Sequence, residues 1–323
     1  MEESLVTIIL TTLNSERFVA RSIESCLNQT YRNLELLVVD GGSQDRTVEI
    51  LDLYTDPRVR LIDQPENSGK LPGAINLGMA NAAGAFITWT QDDCWYEPHA
   101  IQTMLDYLRT NPEIALVYSD YWDVDENGIR LSYQRAEAPE FVFTRDVIRV
   151  SFLFRREAYE AIGPQETQYF PVHEVPWRAA LAKHCSIGAL HAPLMSYTVH
   201  PDSLTGRFGG WDLERLTADA LLAVGGIDKE TYRTRMGKID IDQAYAEYIR
   251  AGDYAAFRKH AIRGVIRDFR WLCNLGLLKL VASSFLPFRE AYRGHLLQEW
   301  QRSIEVEQAR LLDDLESGAL GAG

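Results

Sequence analysis

The sequence predicts an α/β protein: a mostly parallel sheet flanked by helices, followed by an α-helical C-terminal region. Three observations carry this. Short apolar, β-rich segments alternate with amphipathic helical ones from residue 5 to about 120, the pattern of a parallel sheet covered on both faces. The first strands are apolar on both faces, as central parallel strands are. From Phe208 onward the strand pattern stops and only helical spacing remains. The 323 residues therefore divide into 1–207 and 208–323.

The elements follow in order. LVTIIL (5–10) is the first buried strand, and Asn14 or Ser15 is placed to cap a helix with Val19, Ile23, Cys26 and Leu27 on one face. LELLVV (34–39) is the second strand, stopped by DGGSQD, in which Asp45 can cap a helix through Val48 and Leu51. VRLID (59–63) is the third, followed by the PENSGKLPG loop and a helix through Leu71, Ile75 and Met79. AFITWT (85–90) is the fourth; Glu97-Pro98 then opens a helix carrying Ile101, Met104, Leu105 and Leu108. IALVYSD (114–120) is the fifth.

Composition narrows the function classes. A net charge of −13 makes nucleic acid a poor partner for the whole chain. The four cysteines (Cys26, Cys94, Cys185, Cys273) are scattered without a CxxC pair, so they read as reduced thiols of a cytoplasmic protein, with no zinc site. The start, MEESLVTIIL, lacks the pattern of a secretory signal, and no apolar run reaches the ~18 residues that span a bilayer.

In doubly covered parallel sheets ligands bind at the carboxyl ends of the strands. Asp40 ends the second predicted strand, Asp92 and Asp93 follow the fourth, and Asp120 ends the fifth, so acidic groups are expected on one rim. Such a cluster suits acid–base work on a glycoside, a hard divalent cation such as Mg²⁺ or Mn²⁺, or plain solvation. Magnesium is usually held by one or two carboxylates together with substrate phosphates, which matches the number offered. An anionic substrate would also need a cation to approach so acidic a chain.

VTIILTTLNSERFVARSIESCLNQTYRNLELLVVDGGSQDRTVEIL resembles the opening of the family 2 glycosyltransferases of GT-A (Rossmann-like) fold, and the likeness continues through GAINLGMANAAGAFITWTQDDCWYEP, VYSDY, SFLFRREAYEAIG and YTVHPDSLTGR. The resemblance implies an inverting, metal-dependent transfer of a sugar from a nucleotide-diphospho-sugar to a hydroxyl of a glycan or lipid-linked acceptor, in surface polysaccharide synthesis. It places the nucleotide at Thr12, Asp40, Asn67 and Asp92, and the divalent cation, Mn²⁺ or Mg²⁺, at Asp92 with Asp93 and His200. Glu174, preceded by His173 in VHEVPWRAALA, matches the family's base. The sequence departs from the family at Thr90, where many members carry the first aspartate of Asp-x-Asp, and at TTLN, which lacks the proline and tyrosine of the usual turn. Two rivals are a sugar-nucleotide pyrophosphorylase, disfavoured because TTLNSERF is neither glycine-rich nor basic, and a catalytically silent module of the same fold.

Several prominent residues have a plain structural reading beside the functional one. Trp89 and Trp95 suit packing, Arg155 and Arg156 either meet an acceptor or are solvated, and Lys70 either reaches a diphosphate or stands in water. His99, His184, His191, His260 and His295 carry no motif.

The C-terminal third differs in kind. AYAEYIRAGDYAAFRKH reads as two helices broken at Gly252, with Asp253 as the next cap. Arg258 to Arg293 holds eight Lys/Arg and two Asp/Glu, a local +6 that leaves −19 elsewhere. Its basic residues either face an acidic surface of the protein or lie on anionic headgroups at the inner face of a membrane, making the chain a peripheral membrane protein. The final helix (Leu297, Trp300, Ile304, Leu311, Leu315) either packs internally or pairs two copies as a homodimer.

Overall fold

The computed structural model describes residues 4–64, 70–143, 146–203, 207–208, 210–285 and 289–316. The chain forms two compact units, one reaching Leu204 and the other Thr205–Ser317.

The first unit is built on a mixed sheet. Its strands are β1 (Val6–Thr12), β2 (Leu34–Asp40), β3 (Val59–Asp63), β4 (Phe86–Gln91), β5 (Cys94–Tyr96), β6 (Ile114–Val124), β7 (Arg130–Gln134), β8 (Phe152–Arg155) and β9 (Ser186–Thr198). They lie in the order β3-β2-β1-β4-β8-β6-β9-β5, with β7 paired to β6. β1 to β4 are mutually parallel where they pair, and β6 is parallel to β9. β8 runs antiparallel between β4 and β6, so the sheet is less uniform than the alternation of strand and helix suggests.

Alternate residues along β1 explain the two-sided burial. Val6, Ile8 and Leu10 point into one core cluster and Ile9 into another. The first cluster is closed by α1 (Val19–Leu27) and α4 (Ala100–Thr110), through Ile23, Cys26, Met104 and Leu105. The second is closed by α3 (Lys70–Asn81) and α6 (Glu174–His184), through Ile75, Met79, Trp177 and Leu181. α2 (Thr47–Leu51) and α5 (Arg156–Ile162) complete the layers. At α2 the cap position falls on Arg46, which makes no side-chain cap bond; Asp45, one residue earlier, accepts from Thr47 N at 2.9 Å.

Three expectations are corrected. Neither Asn14 nor Ser15 caps α1 through its side chain; Phe18 precedes the helix without a side-chain cap, and the Ser15 carbonyl accepts from Phe18 N and Val19 N. The fifth predicted strand does not stop at Asp120, because β6 continues to Val124. Asp120 is fully buried and accepts from Tyr133 Oη and, at 2.6 Å, from Ala136 N, so it is no rim residue. Arg155 and Arg156 are neither solvated nor free for an acceptor, since both donate to backbone carbonyls: Ile114 and Leu108 for Arg155, Gly84 and Ala82 for Arg156.

The second unit is helical: α7 (Gly210–Ala223), α8 (Lys229–Ala246), α9 (Tyr254–Arg267), α10 (Leu275–Ser283) and α11 (Arg289–Glu316). Asp228, Asp253 and Asn274 accept from first-turn amides of α8, α9 and α10. Gly252, at φ +67°, breaks the chain between α8 and α9 in the left-handed region that favours glycine. Ile241, Ala244, Tyr248, Phe257, Leu277 and Leu280 form its core. Among the described residues no helix is long and apolar enough to cross a membrane.

Candidate active site

The site grows from the carboxyl ends of β1, β2 and β4. The register sets Thr12 beside Asp40 and Thr11 beside Gln91, so the loops that follow start from one edge. Asp40 turns its chain sharply: its carboxylate accepts from Gly42 N at 3.1 Å, from Ser43 N at 3.0 Å and from the Ser43 hydroxyl. Gly42, at φ +88°, supplies the left-handed residue this turn requires.

The loops after β1 and β2 are then joined side chain to backbone. Asn14 N donates to Ser43 Oγ at 2.8 Å and Gln44 N donates to Asn14 Oδ1 at 2.7 Å. Glu16 N donates to Asp45 Oδ2 and Arg46 N to Glu16 Oε2, both at 3.1 Å. Asn14 itself stands at φ +53°, a conformation asparagine tolerates better than most residues. This reciprocal bonding was not expected from the sequence, although polar residues filling both loops are its visible trace.

The aspartate pair has two different environments. Asp92 Oδ2 accepts from Leu13 N at 3.2 Å. Burial and the neighbouring Asp93 push the Asp92 carboxyl up to about 7, while Thr12, Leu13 and Ser15 hold that rise down. The Thr12 and Ser15 hydroxyls are buried within electrostatic reach of Asp92 but make no well-formed hydrogen bond. Asp93 instead accepts from His200 Nε2 at 3.1 Å, and Thr198 Oγ1 donates to its carbonyl. The bond to Asp93 holds the His200 ring above its ordinary value against the opposing effect of burial.

Glu174 opens α6 and is tied to the sheet through β4. Trp89 Nε1 donates to Glu174 Oε1 at 2.7 Å, and Arg178 pairs with Oε2 at 2.8 Å from one turn along the same helix. Arg178 is buried and also meets Asp146 at 3.1 Å. Trp89 packs edge-on against Phe152, Phe154 and Trp177, which fits the structural reading of that residue. His173 is 2% exposed and stacks on Phe170; burial pulls its ring down to about 4. Lys70 is exposed, as the solvated reading expects, and its Nζ sits over the Phe170 ring at 4.7 Å.

Thr12, Asp40 and Asp92 thus share one edge, and His200 joins through Asp93. Asn67 lies outside the described residues. The expected metal set of Asp92, Asp93 and His200 is not assembled as a trio: the His200 nitrogen nearest the aspartates is taken by Asp93. Among the described residues no three His, Cys, Asp or Glu side chains are grouped to hold a metal ion. What remains is an adjacent pair of carboxylates. Two hard oxygen donors fit Mg²⁺ or Mn²⁺ in the usual manner, with substrate phosphates completing the shell. His191, which carries no motif, pairs its Nδ1 with buried Asp120 at 3.4 Å.

Residues 7–163 match the model of Glycosyl transferase family 2. An uncharacterized glycosyltransferase of Haemophilus influenzae is 33% identical over 135 residues, 41% of this chain and 53% of that protein, so the chain spans about half the length of this relative. Among solved structures, Staphylococcus aureus TarS 1-349 in complex with UDP-GlcNAc has a TM-score of 0.59 at 13% identity, covering 90% of this chain and 92% of the other. Mannosyltransferase PcManGT from Pyrobaculum calidifontis, in complex with GDP-Man and Mn2+, has a TM-score of 0.57 at 15% identity, covering 94% and 86%. The fold is that of the GT-A-like transferases. Residues 7–163, just under half of the chain, thus resemble glycosyltransferase family 2.

Proposed function

We propose that the chain transfers a hexosyl-type sugar from a nucleotide-diphospho-sugar to a hydroxyl of a glycan or lipid-linked acceptor, with inversion. The observation that carries this is the convergence of Thr12, Asp40 and Asp92 at the carboxyl ends of three adjacent parallel strands, with the half-buried Glu174 carboxylate of α6 bonded to Trp89 of β4, the strand that leads to Asp92. The family match supports the reaction class, and the solved relatives named with UDP-GlcNAc and GDP-Man support a nucleotide sugar as donor.

The residues take the following parts. The buried Thr12 hydroxyl and the Asp40 turn receive the nucleoside, and Asn67, outside the described residues, is assigned to it by the family resemblance alone. Asp92 and Asp93 would hold a divalent cation, which when bound supplies positive charge toward the departing diphosphate. His200, its Nε2 turned to Asp93, neutralises part of the acidic pair and leaves Nδ1 for a diphosphate oxygen. Glu174 removes the proton of the acceptor hydroxyl as that oxygen attacks the anomeric carbon opposite the leaving group. Its two donors, Trp89 and Arg178, fix the carboxylate's position for that role. A single displacement of this kind inverts the anomeric centre.

The test is a donor-hydrolysis and transfer screen across UDP-, GDP- and dTDP-sugars, with and without Mn²⁺, for the natural chain and Glu174→Gln. The expected result is turnover of one donor class, lowered about 10²–10⁴-fold in the variant while nucleotide affinity is kept. Normal turnover by Glu174→Gln would remove Glu174 from the mechanism. Absence of binding to every nucleotide tried would overturn the reading as a whole.

A further inference from the structure

The helical unit exposes large apolar side chains along one continuous stretch. Ile262, Ile266, Phe269, Leu272, Leu275 and Leu278 are between 43% and 71% exposed. On α9, Phe257, Ala261 and Gly264 are buried, which leaves Lys259, Ile262, Arg263 and Ile266 together on the outer face at helical spacing. On α10, Leu277 and Leu280 are buried while Leu275, Leu278 and Lys279 are exposed. Both helices give their buried faces to the same core cluster, so their apolar outer faces point away from it.

The charges on this stretch are one-sided. Asp268 is the single acidic residue between 254 and 285, and Arg270 pairs with it at 2.7 Å. Arg267 is likewise taken, by Asp240. Lys259, Arg263 and Lys279 are exposed and have no carboxylate partner among the described residues. Unpaired cations therefore flank exposed hydrocarbon.

We propose that this face binds an anionic phospholipid bilayer in the plane of the membrane. Its apolar side chains enter the headgroup–acyl boundary and Lys259, Arg263 and Lys279 meet lipid phosphates. A bilayer offers anionic charge and hydrocarbon together. A second copy of this acidic chain offers the charge, but charge alone would leave the isoleucines, leucines and phenylalanine in water. A lipid-linked acceptor would be met at such a surface, though membrane binding needs no turnover and stands or falls apart from the transfer chemistry.

The experiment is flotation of the full chain with vesicles of phosphatidylcholine alone or mixed with phosphatidylglycerol, at low and high salt. Binding is expected with the anionic vesicles and weakens with salt. The triple variant Lys259→Glu/Arg263→Glu/Lys279→Glu should bind at least roughly a hundredfold more weakly, at about fivefold for each cation lost. Ile266→Asn/Leu275→Asn should also weaken binding, with circular dichroism reporting that both variants stay folded. Failure of the natural chain to float with anionic vesicles at low salt overturns the proposal, as does binding that the charge reversal leaves unchanged. A dimeric mass by light scattering that Ile266→Asn/Leu275→Asn converts to monomer would assign the face to chain pairing and overturn it too.

Discussion

Replacing Asp92 by asparagine should stabilise the free protein, most of all at alkaline pH. The Asp92 carboxyl rises from 3.8 to about 7 because burial and Asp93 oppose its charge. At about 1.4 kcal/mol per pKa unit, that is up to roughly 4 kcal/mol of strain in the ionised state, and solvent reaching this half-buried group reduces it to roughly 2. The sign follows from proton linkage. Above pH 7 the group is ionised in both folded and unfolded chains, so the cost is fully present. As pH falls from 7 toward 4 the folded chain takes up the proton first, and the cost fades. Asparagine keeps an oxygen for Leu13 N–H but does not titrate. In thermal unfolding without nucleotide or divalent cation, Asp92→Asn should melt roughly 4–8 °C above the natural chain at pH 8, at about 2–4 °C per kcal/mol for a unit of this size. The gap should shrink at pH 5. A gap that is equal at both pH values, or a variant that melts lower at pH 8, would refute the account of the site as a place of uncompensated negative charge.

Two further outcomes are expected from groups outside that pair. Burial depresses His173 to about 4, so its stability contribution is fully present above the ordinary 6.5 and is lost as pH falls through 4, by up to roughly 3 kcal/mol; His173→Phe, which keeps the stacking on Phe170, should lose less melting temperature between pH 7 and pH 4 than the natural chain does. In the helical unit Asp240 is 1% exposed and meets Arg215 at 2.8 Å and Arg267 at 2.7 Å. Asp240→Leu should therefore cost about 3–5 kcal/mol in urea unfolding followed by circular dichroism, with part of it recovered when Arg267→Met is added.

Much of the first unit was legible because its strands are short, apolar and punctuated. β1, β2, β3 and β4 fall where LVTIIL, LELLVV, VRLID and AFITWT stand, and α1 and α4 bury the apolar residues their spacing singles out, as α3 buries Ile75 and Met79 with Leu71 half-buried. The gap at β6 has a physical cause. Asp120 reads as a strand end because acidic residues favour turns, but Tyr133, Ala136 and His191 come from distant parts of the chain to satisfy it inside the sheet. β9 was missed for a related reason: Ser186–Thr198 is half-buried and carries a proline, so it lacks the continuous apolar run of the inner strands. The site was legible at Asp40, Asp92 and Asp93 as strand-end carboxylates. The Glu174–Arg178 pair stood in the sequence at helical i,i+4 spacing, whereas the bond from Trp89 to Glu174 joins residues 85 apart and has no local signature.

Thr90 shows how the charge of the site is divided. It is 2% exposed and lies opposite Leu10 in the register of β1 with β4, inside the strand and not beyond its end. A carboxylate there would sit in the covered part of the sheet, whereas a threonine hydroxyl is small enough to be buried and satisfies itself locally, at 3.4 Å from the Gln91 carbonyl. The acidic charge is instead concentrated two and three residues later, where the strand has ended. There the two aspartates are partnered differently: Asp93 accepts from His200, while Asp92 has an amide and two imperfectly placed hydroxyls. When ionised, Asp92 therefore has no cationic side-chain partner among the described residues. A divalent cation, if held there by Asp92 and Asp93, would supply positive charge at this point. The asymmetry between Asp92 and Asp93 is thus the feature on which the proposed anionic, cation-accompanied donor rests, and it is read from the protein's own hydrogen bonds.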